Sequence, residues 1–93
     1  MSFVVRDTPT ARNQLATLWV QADSKGRRAI TASSHRLTTA LARPNAPTLG
    51  TANPVGMLPT ARRLDDPPLS AIFVFLPSFG EIWILDYLSV VGP

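Results

Sequence analysis

The sequence predicts an α+β domain in which a hairpin of two helices packs on a mainly antiparallel sheet, in the element order β-α-α-β-β-β. Two observations predict this fold class. Apolar residues recur at helical spacing between positions 9 and 43. Two strand-like apolar runs, at 69–76 and 81–90, then lie close together near the end of the chain. A length of 93 residues fits one domain spanning residues 1–93.

The first two elements follow from short local signals. Ser2 to Arg6, which contains Phe and two Val residues, predicts a short strand. Thr8 followed by Pro9 predicts the start of a helix, because Thr is a good N-cap and proline fits the first helical position. The apolar stripe of this helix is formed by Ala11, Leu15, Leu18, Trp19 and Ala22.

A second helix is predicted from about Lys25 to Arg43, capped by Asp23 or Ser24 and ended by Pro44. Its predicted core face consists of Ile30, Ser33 or Ser34, Leu37 and Leu41. Because the connection between the two helices is short, they should form an antiparallel hairpin.

The segment from Pro44 to Pro59 is rich in Pro, Gly and Asn, which predicts a loop. Thr60 to Leu64 is a candidate strand, and "DDPP" at 65–68 is a predicted turn.

The two apolar runs near the end of the chain should form the middle of the sheet. Leu69 to Leu76 is almost continuously apolar, which predicts a central strand buried on both faces. After a turn at "PSFG", Glu81 to Val90 predicts the last strand. The side chains expected to supply the core are Phe73, Phe75, Ile82, Trp83, Ile84 and Leu85.

Charge is distributed unevenly along the chain. All nine Lys and Arg residues lie within 1–63, and residues 64–93 contain four acidic residues and no basic one. Such asymmetry predicts a cationic surface that meets an acidic partner, although a solvated helical face would give the same pattern. The absence of cysteine excludes disulfides and thiolate metal sites, and His35 alone cannot hold a metal, so no metal or cofactor is predicted.

No apolar run approaches the roughly 18 residues of a membrane span. The first ten residues lack the cationic start and apolar core of a signal peptide. We therefore expect no membrane partner and a cytoplasmic location.

The order and content of these elements resemble the RelE/ParE-like toxins of bacterial type II toxin–antitoxin systems. The resemblance is carried by the hairpin at 8–50, with "ATLWV" in its first helix and a loop glycine at its end. It is carried as well by residues 61–90, which begin with "ARRLDDPPL" and close with the apolar β-hairpin.

The resemblance implies two alternative activities. RelE-like members are endoribonucleases that cut mRNA, usually on the ribosome, whereas ParE-like members inhibit DNA gyrase. Both are neutralised by an antitoxin, here expected to be acidic and encoded by an adjacent gene, and such pairs can stabilise plasmids. We favour a ParE-like toxin that acts by binding. A RelE-like nuclease with a reduced site, or a degenerate non-toxic relative, remains as an alternative.

The resemblance also suggests a catalytic set of Arg62, Arg63 and Tyr87. Because strand residues alternate sides, only one of the two arginines can face the open side of the sheet and hold a phosphate bidentately. Alternatively, both protect an edge strand. Tyr87 could act as an acid or base, but adjacent Asp86 opposes this, and a half-buried sheet tyrosine is the alternative.

The positions where such nucleases carry further basic residues hold Ser70 and Ala71, together with "SVVGP" at 89–93. Arg27, Arg28 and Arg36 on the second helix are candidates for binding RNA phosphates or an acidic antitoxin. A solvated face is the alternative for these three as well.

Overall fold

The computed structural model describes residues 2–90 and shows two helices packed on one face of a five-stranded mixed sheet. The strands are ordered β1-β5-β4-β3-β2. Strands β1 and β5 run parallel, and every other neighbouring pair is antiparallel. The elements are β1 (Val4–Asp7), α1 (Pro9–Gln21), α2 (Ser24–Leu41), β2 (Thr51–Ala52), β3 (Arg62–Asp66), β4 (Leu69–Leu76) and β5 (Glu81–Ser89). The predicted α+β fold class is confirmed.

Both helices begin at the residues that the sequence indicates. The Thr8 hydroxyl accepts a hydrogen bond from the Ala11 amide at 3.1 Å, with Pro9 in the first turn. The Asp23 carboxylate accepts one from the Gly26 amide at 2.7 Å. The second helix ends at Leu41, two residues earlier than predicted.

The core lies between the helices and the sheet, and the predicted face of α2 is buried within it. Ser33, the buried polar member of this face, donates a hydrogen bond to the Asp66 carbonyl on β3. The side chains that α2 and the sheet bury together are Ile30, Leu37, Leu41, Leu69, Ala71, Phe73, Ile82, Ile84 and Tyr87.

Trp19 departs from its prediction as part of the apolar stripe of α1. It follows Ala11, the buried residue of this helix, by eight positions, which rotates its side chain by about 80° around the axis. Its side chain is consequently 42% exposed, while Leu15, Leu18 and Ala22 pack against the core.

The strand β2 was not predicted, because the sequence predicts a loop for all of residues 44–59. This segment contains a 3-10 turn at Ala46–Thr48 and the two-residue strand β2, which pairs with β3. The strand β3 also runs to Asp66, so the predicted "DDPP" turn is reduced to Pro67 and Pro68. Asp65 and Asp66 belong to β3, where Asp65 forms an ion pair with Arg63 and Asp66 forms one with Arg36.

Gly50, immediately before β2, should not tolerate a side chain. It has a φ of +70°, and a Cβ there would lie 2.1 Å from the Arg63 carbonyl oxygen. Gly56 also has a positive φ, but nothing lies within 4 Å of its Cβ position. Replacing either glycine by Ala should cost about 1–2 kcal/mol for the left-handed backbone.

Gly50→Ala should then lose additional stability through the steric clash. We expect denaturant unfolding to show a clearly larger loss for Gly50→Ala than for its matched control Gly56→Ala. Equal losses would mean that the close approach between Gly50 and β3 is absent.

Candidate functional site

The helices pack on one face of the sheet, and the opposite, helix-free face carries a second, smaller apolar cluster in which Ala61, Ile72 and Val74 are buried. Ile72 and Val74 of β4 lie beside Trp83, Leu85 and Leu88 of β5, and the loop before β3 adds Val55 and Ala61. A β-bulge between β4 and β5 shapes this face: Ile72 pairs with Asp86 and Phe73 with Ile84. Leu85 is therefore the extra residue of the bulge.

Cationic side chains at two borders of the helix-free face are neutralised by carboxylates of the same chain. Arg6 forms an ion pair with Glu81, whose second carboxylate oxygen accepts a hydrogen bond from the Trp83 indole at 3.3 Å. The hydrogen bond from Arg6 is the main reason why the pKa of Glu81 lies below its ordinary value. Arg6 was absent from the predicted site, and its pairing with β5 could not be inferred from sequence distance.

Arg63 is the predicted strand arginine that faces the helix-free side. It pairs across β3 and β4 with Ile72, and its guanidinium lies 2.9 Å from a carboxylate oxygen of Asp65. Hydrogen bonds from Ser70 and then from Arg63 lower the pKa of Asp65. Arg63 is thus paired at neutral pH, and a phosphate would have to displace the Asp65 carboxylate.

Arg62, the other strand arginine, faces the helix side and is held by the loop that precedes β2. Its guanidinium donates hydrogen bonds to the carbonyl oxygens of Leu49 at 2.7 Å and Gly50 at 2.8 Å. These contacts fix the loop against β3 and leave Arg62 on the side opposite Arg63.

Removing the guanidinium in Arg62→Met should destabilise the protein, because the two loop carbonyls lose charged donors. Hydrogen bonds to charged groups contribute about 1.5–3 kcal/mol, and partial exposure of this site places the expected loss near the lower end. Arg63→Met is the matched control, since its surface ion pair should contribute no more than about 1 kcal/mol. Thermal unfolding measures the stability of both variants. The assignment would be wrong if Arg63→Met were less stable than Arg62→Met.

Tyr87 lies on the helix side, although strict alternation from Trp83 through Leu85 would place it on the helix-free face. The bulge at Leu85 reverses the alternation and turns Tyr87 into the core, where it is buried. Burial is the main reason why its pKa is raised, followed by the charge of Asp7. Hydrogen bonds with Ser34 and Thr38 oppose this shift. Tyr87 therefore lies on the opposite side of the sheet from Arg63 and is poorly suited to accept a proton at neutral pH.

The three helical arginines have three different environments. Arg27 donates hydrogen bonds to the carbonyls of Trp19 at 3.0 Å and Val20 at 3.1 Å, and its guanidinium lies 4.5 Å from the centre of a Trp19 ring. Arg36 is held by both carboxylate oxygens of Asp66 at 2.8 Å. Arg28 is exposed and forms no ion pair within residues 2–90.

The six predicted site residues are thus distributed over three places. Arg63 lies on the helix-free face, Arg62 and Tyr87 lie on the helix side, and the helical arginines lie on the hairpin. Among residues 2–90, no group of three His, Asp or Glu side chains could hold a metal ion. In the same part of the chain, neither helix has the length and apolarity needed to traverse a lipid bilayer.

Comparison of the folded chain with solved structures finds close counterparts of this architecture. A chain of the toxin–antitoxin complex RelBE2 from Mycobacterium tuberculosis aligns with a TM-score of 0.72 at 18% identity, over 97% of this chain and 93% of the other. A chain of the chromosomal ParDE toxin–antitoxin system from P. aeruginosa aligns with a TM-score of 0.73 at 21% identity, over 96% and 97%. The protein has the RelE/ParE-like toxin fold.

This similarity is structural, since no protein-family model and no curated protein matches the sequence. In this RelE/ParE-like fold, the helix-free face has Trp83, Leu85 and Leu88 half-buried around the buried Ile72 and Val74, with paired arginines at its borders. The sequence signal that could have located it is the alternation of Glu81, Trp83 and Leu85, whose outward side chains border an apolar central strand.

Proposed function

We propose that this protein is the toxin of a type II toxin–antitoxin pair and acts by binding a protein target. The observation that carries the proposal is the helix-free face, where apolar side chains dominate and both bordering arginines are paired with carboxylates. A face that binds an RNA backbone needs cations available for phosphates. An apolar centre that contains an aromatic ring and has a polar rim is instead typical of protein–protein contacts.

The type of partner is supported by the two solved structures compared above, which both come from toxin–antitoxin systems. We infer that a small acidic antitoxin, encoded by an adjacent reading frame, holds the protein inactive. The ParE-like alternative makes DNA gyrase the candidate target, and a cytoplasmic location follows from either role.

A RelE-like endoribonuclease is the second candidate, because Arg63 does face the helix-free side. That activity would require Arg63 to exchange Asp65 for a phosphate. It would also have to proceed without Arg62, which binds loop carbonyls, and without Tyr87, which is buried. Arg63 is accordingly the residue on which the nuclease alternative depends.

Induced expression in bacterial cells tests the proposed function. We expect growth arrest and a DNA-damage response while transcripts remain uncleaved, and we expect Arg63→Ala to arrest growth as wild type does. Arg43→Ala is the matched control, since Arg43 is exposed and forms no ion pair within residues 2–90. Transcript cleavage that Arg63→Ala abolishes and Arg43→Ala retains would establish the nuclease instead. Absence of growth arrest would indicate a non-toxic relative.

A further inference from the structure

A hollow of about 570 Å³ opens on the helix side of the sheet, next to the 3-10 turn that follows α2. Phe73 and Phe75 of β4 contribute to its lining, as does Ala52 of β2. Three prolines form much of the remaining wall: Pro47, Pro59 and Pro77. Sites for small molecules are typically hollows of about 300–1,000 Å³ with a mainly apolar lining and a few polar groups. This hollow has both the size and the composition of such a site.

The hollow exists because the pairing of β3 with β4 stops at Arg62. Arg62 pairs with Phe73, so the end of β4 from Phe75 onwards has β5 as its strand neighbour on one side and the hollow on the other. The chain before Arg62 turns away from β4, since the carbonyl of Ala61 accepts a hydrogen bond from the Asn53 amide at 2.8 Å. The prolines in the wall restrict its backbone, so little order has to be imposed when a ligand binds.

Arg62 supplies the charged group of this hollow. Its Nε and Nη2 atoms donate to the carbonyl oxygens of Leu49 and Gly50, which occupies one edge of the guanidinium. A further contact, from Nη2 to the Thr48 carbonyl, is long at 3.5 Å. Within residues 2–90, Nη1 donates no hydrogen bond to the protein. The edge formed by Nη1 and Nη2 can therefore accept a carboxylate through two parallel hydrogen bonds.

The charge of Arg62 differs from that of the other two strand arginines. Arg6 is paired with Glu81 and Arg63 with Asp65, whereas Arg62 is half-buried and forms no ion pair in the described part of the chain. A phosphate would bring more charge, and a larger desolvation cost, against the phenylalanine and proline walls. A single carboxylate on a flat apolar body would place its charge on Arg62 and its body on those walls.

We propose that this hollow binds a small aromatic carboxylate. The carboxylate lies on the Nη1 and Nη2 edge of Arg62, and the ring packs between Phe75 and the proline walls. The Phe75 ring already makes an edge contact with Phe3, with 4.8 Å between the ring centres, so its orientation is set before the ligand binds. The site lies on the side of the sheet opposite Arg63, and it does not depend on the proposed toxin role.

Two matched probes test the role of the charge: phenylacetate, and phenylacetamide, in which a neutral amide replaces the carboxylate. In nuclear magnetic resonance titrations of the nitrogen-15-labelled chain, phenylacetate should shift the Nε–H signal of Arg62 and the amide signals around Phe75. It should bind at least about tenfold more tightly than phenylacetamide, because hydrogen bonds between two charged groups are the stronger ones. Equal affinities of the two probes, saturable shifts confined to other parts of the chain, or no saturable shift would overturn the proposal.

Filling the hollow provides the second test. Ala52 is exposed and pairs with Arg62, so the ring added by Ala52→Phe should enter the hollow and weaken phenylacetate binding at least about tenfold. Thr51→Phe is the matched control, because Thr51 pairs with Arg63 and faces the helix-free side, and it should change the affinity less than about twofold. Circular dichroism verifies that both variants are folded. Undiminished affinity in Ala52→Phe would place phenylacetate elsewhere and disprove the assignment.

Discussion

Replacing Phe73 by Ala is expected to lower the free energy of unfolding by about 3–5 kcal/mol. Phe73 lies in the central strand β4, is 1% exposed and packs in the cluster between helices and sheet. Its removal would leave a cavity that the surrounding side chains cannot fill without moving the helices. A domain of this size has a total stability of about 5–15 kcal/mol, so this loss is a large fraction of the total and should lower the denaturant midpoint strongly.

The matched control is Phe79→Ala, which removes the same side chain from a position that is 73% exposed. This change should alter stability by no more than about 0.5 kcal/mol. Denaturant unfolding followed by circular dichroism measures both variants. Similar losses for Phe73 and Phe79 would show that the core is not organised around the central strand.

The two tryptophans should differ in their importance for toxicity. Trp83→Ala should abolish or strongly reduce growth arrest, because truncating an aromatic anchor at a protein interface commonly costs 2 kcal/mol or more, about thirtyfold in affinity. Trp19→Ala is the matched control, because Trp19 is exposed on the helical hairpin and lies outside the helix-free face, and it should retain growth arrest.

Growth curves after induction measure the toxicity of both variants, with circular dichroism to verify that each variant is folded. If Trp83→Ala were fully toxic, the helix-free face would not be the target site. If Trp19→Ala reduced growth arrest as much as Trp83→Ala, the effect would not be specific to the helix-free face.

The helices and the central strand could be predicted from sequence because their signals are local. Thr8 and Asp23 cap the helices through bonds to residues three positions later, and Pro68 and Pro77 flank the apolar strand β4. The strand β2 could not be predicted in the same way. Thr51, the first of its two residues, is exposed and belongs to no apolar pattern. The segment is a strand only because Thr51 pairs with Arg63 on β3.

The candidate site was harder to predict because it depends on register. Alternation indicated that Arg62 and Arg63 face opposite sides, and only the pairing of β3 with β4 shows that Arg63 faces away from the helices. Tyr87 was unpredictable for the same reason, since the bulge at Leu85 reverses its side without any sequence signal. Trp19 shows that an apolar residue in a helix is not always a core residue. Its direction around the helix axis differs from that of the buried Ala11, so its side chain is exposed.

Co-expression of the tagged chain with the untagged product of its adjacent reading frame, followed by affinity purification at moderate ionic strength, tests the central claim most directly. We expect a small acidic protein to copurify in a fixed stoichiometry. Purification of the wild-type chain alone, with the adjacent product expressed and soluble, would contradict its role as the toxin of a toxin–antitoxin pair.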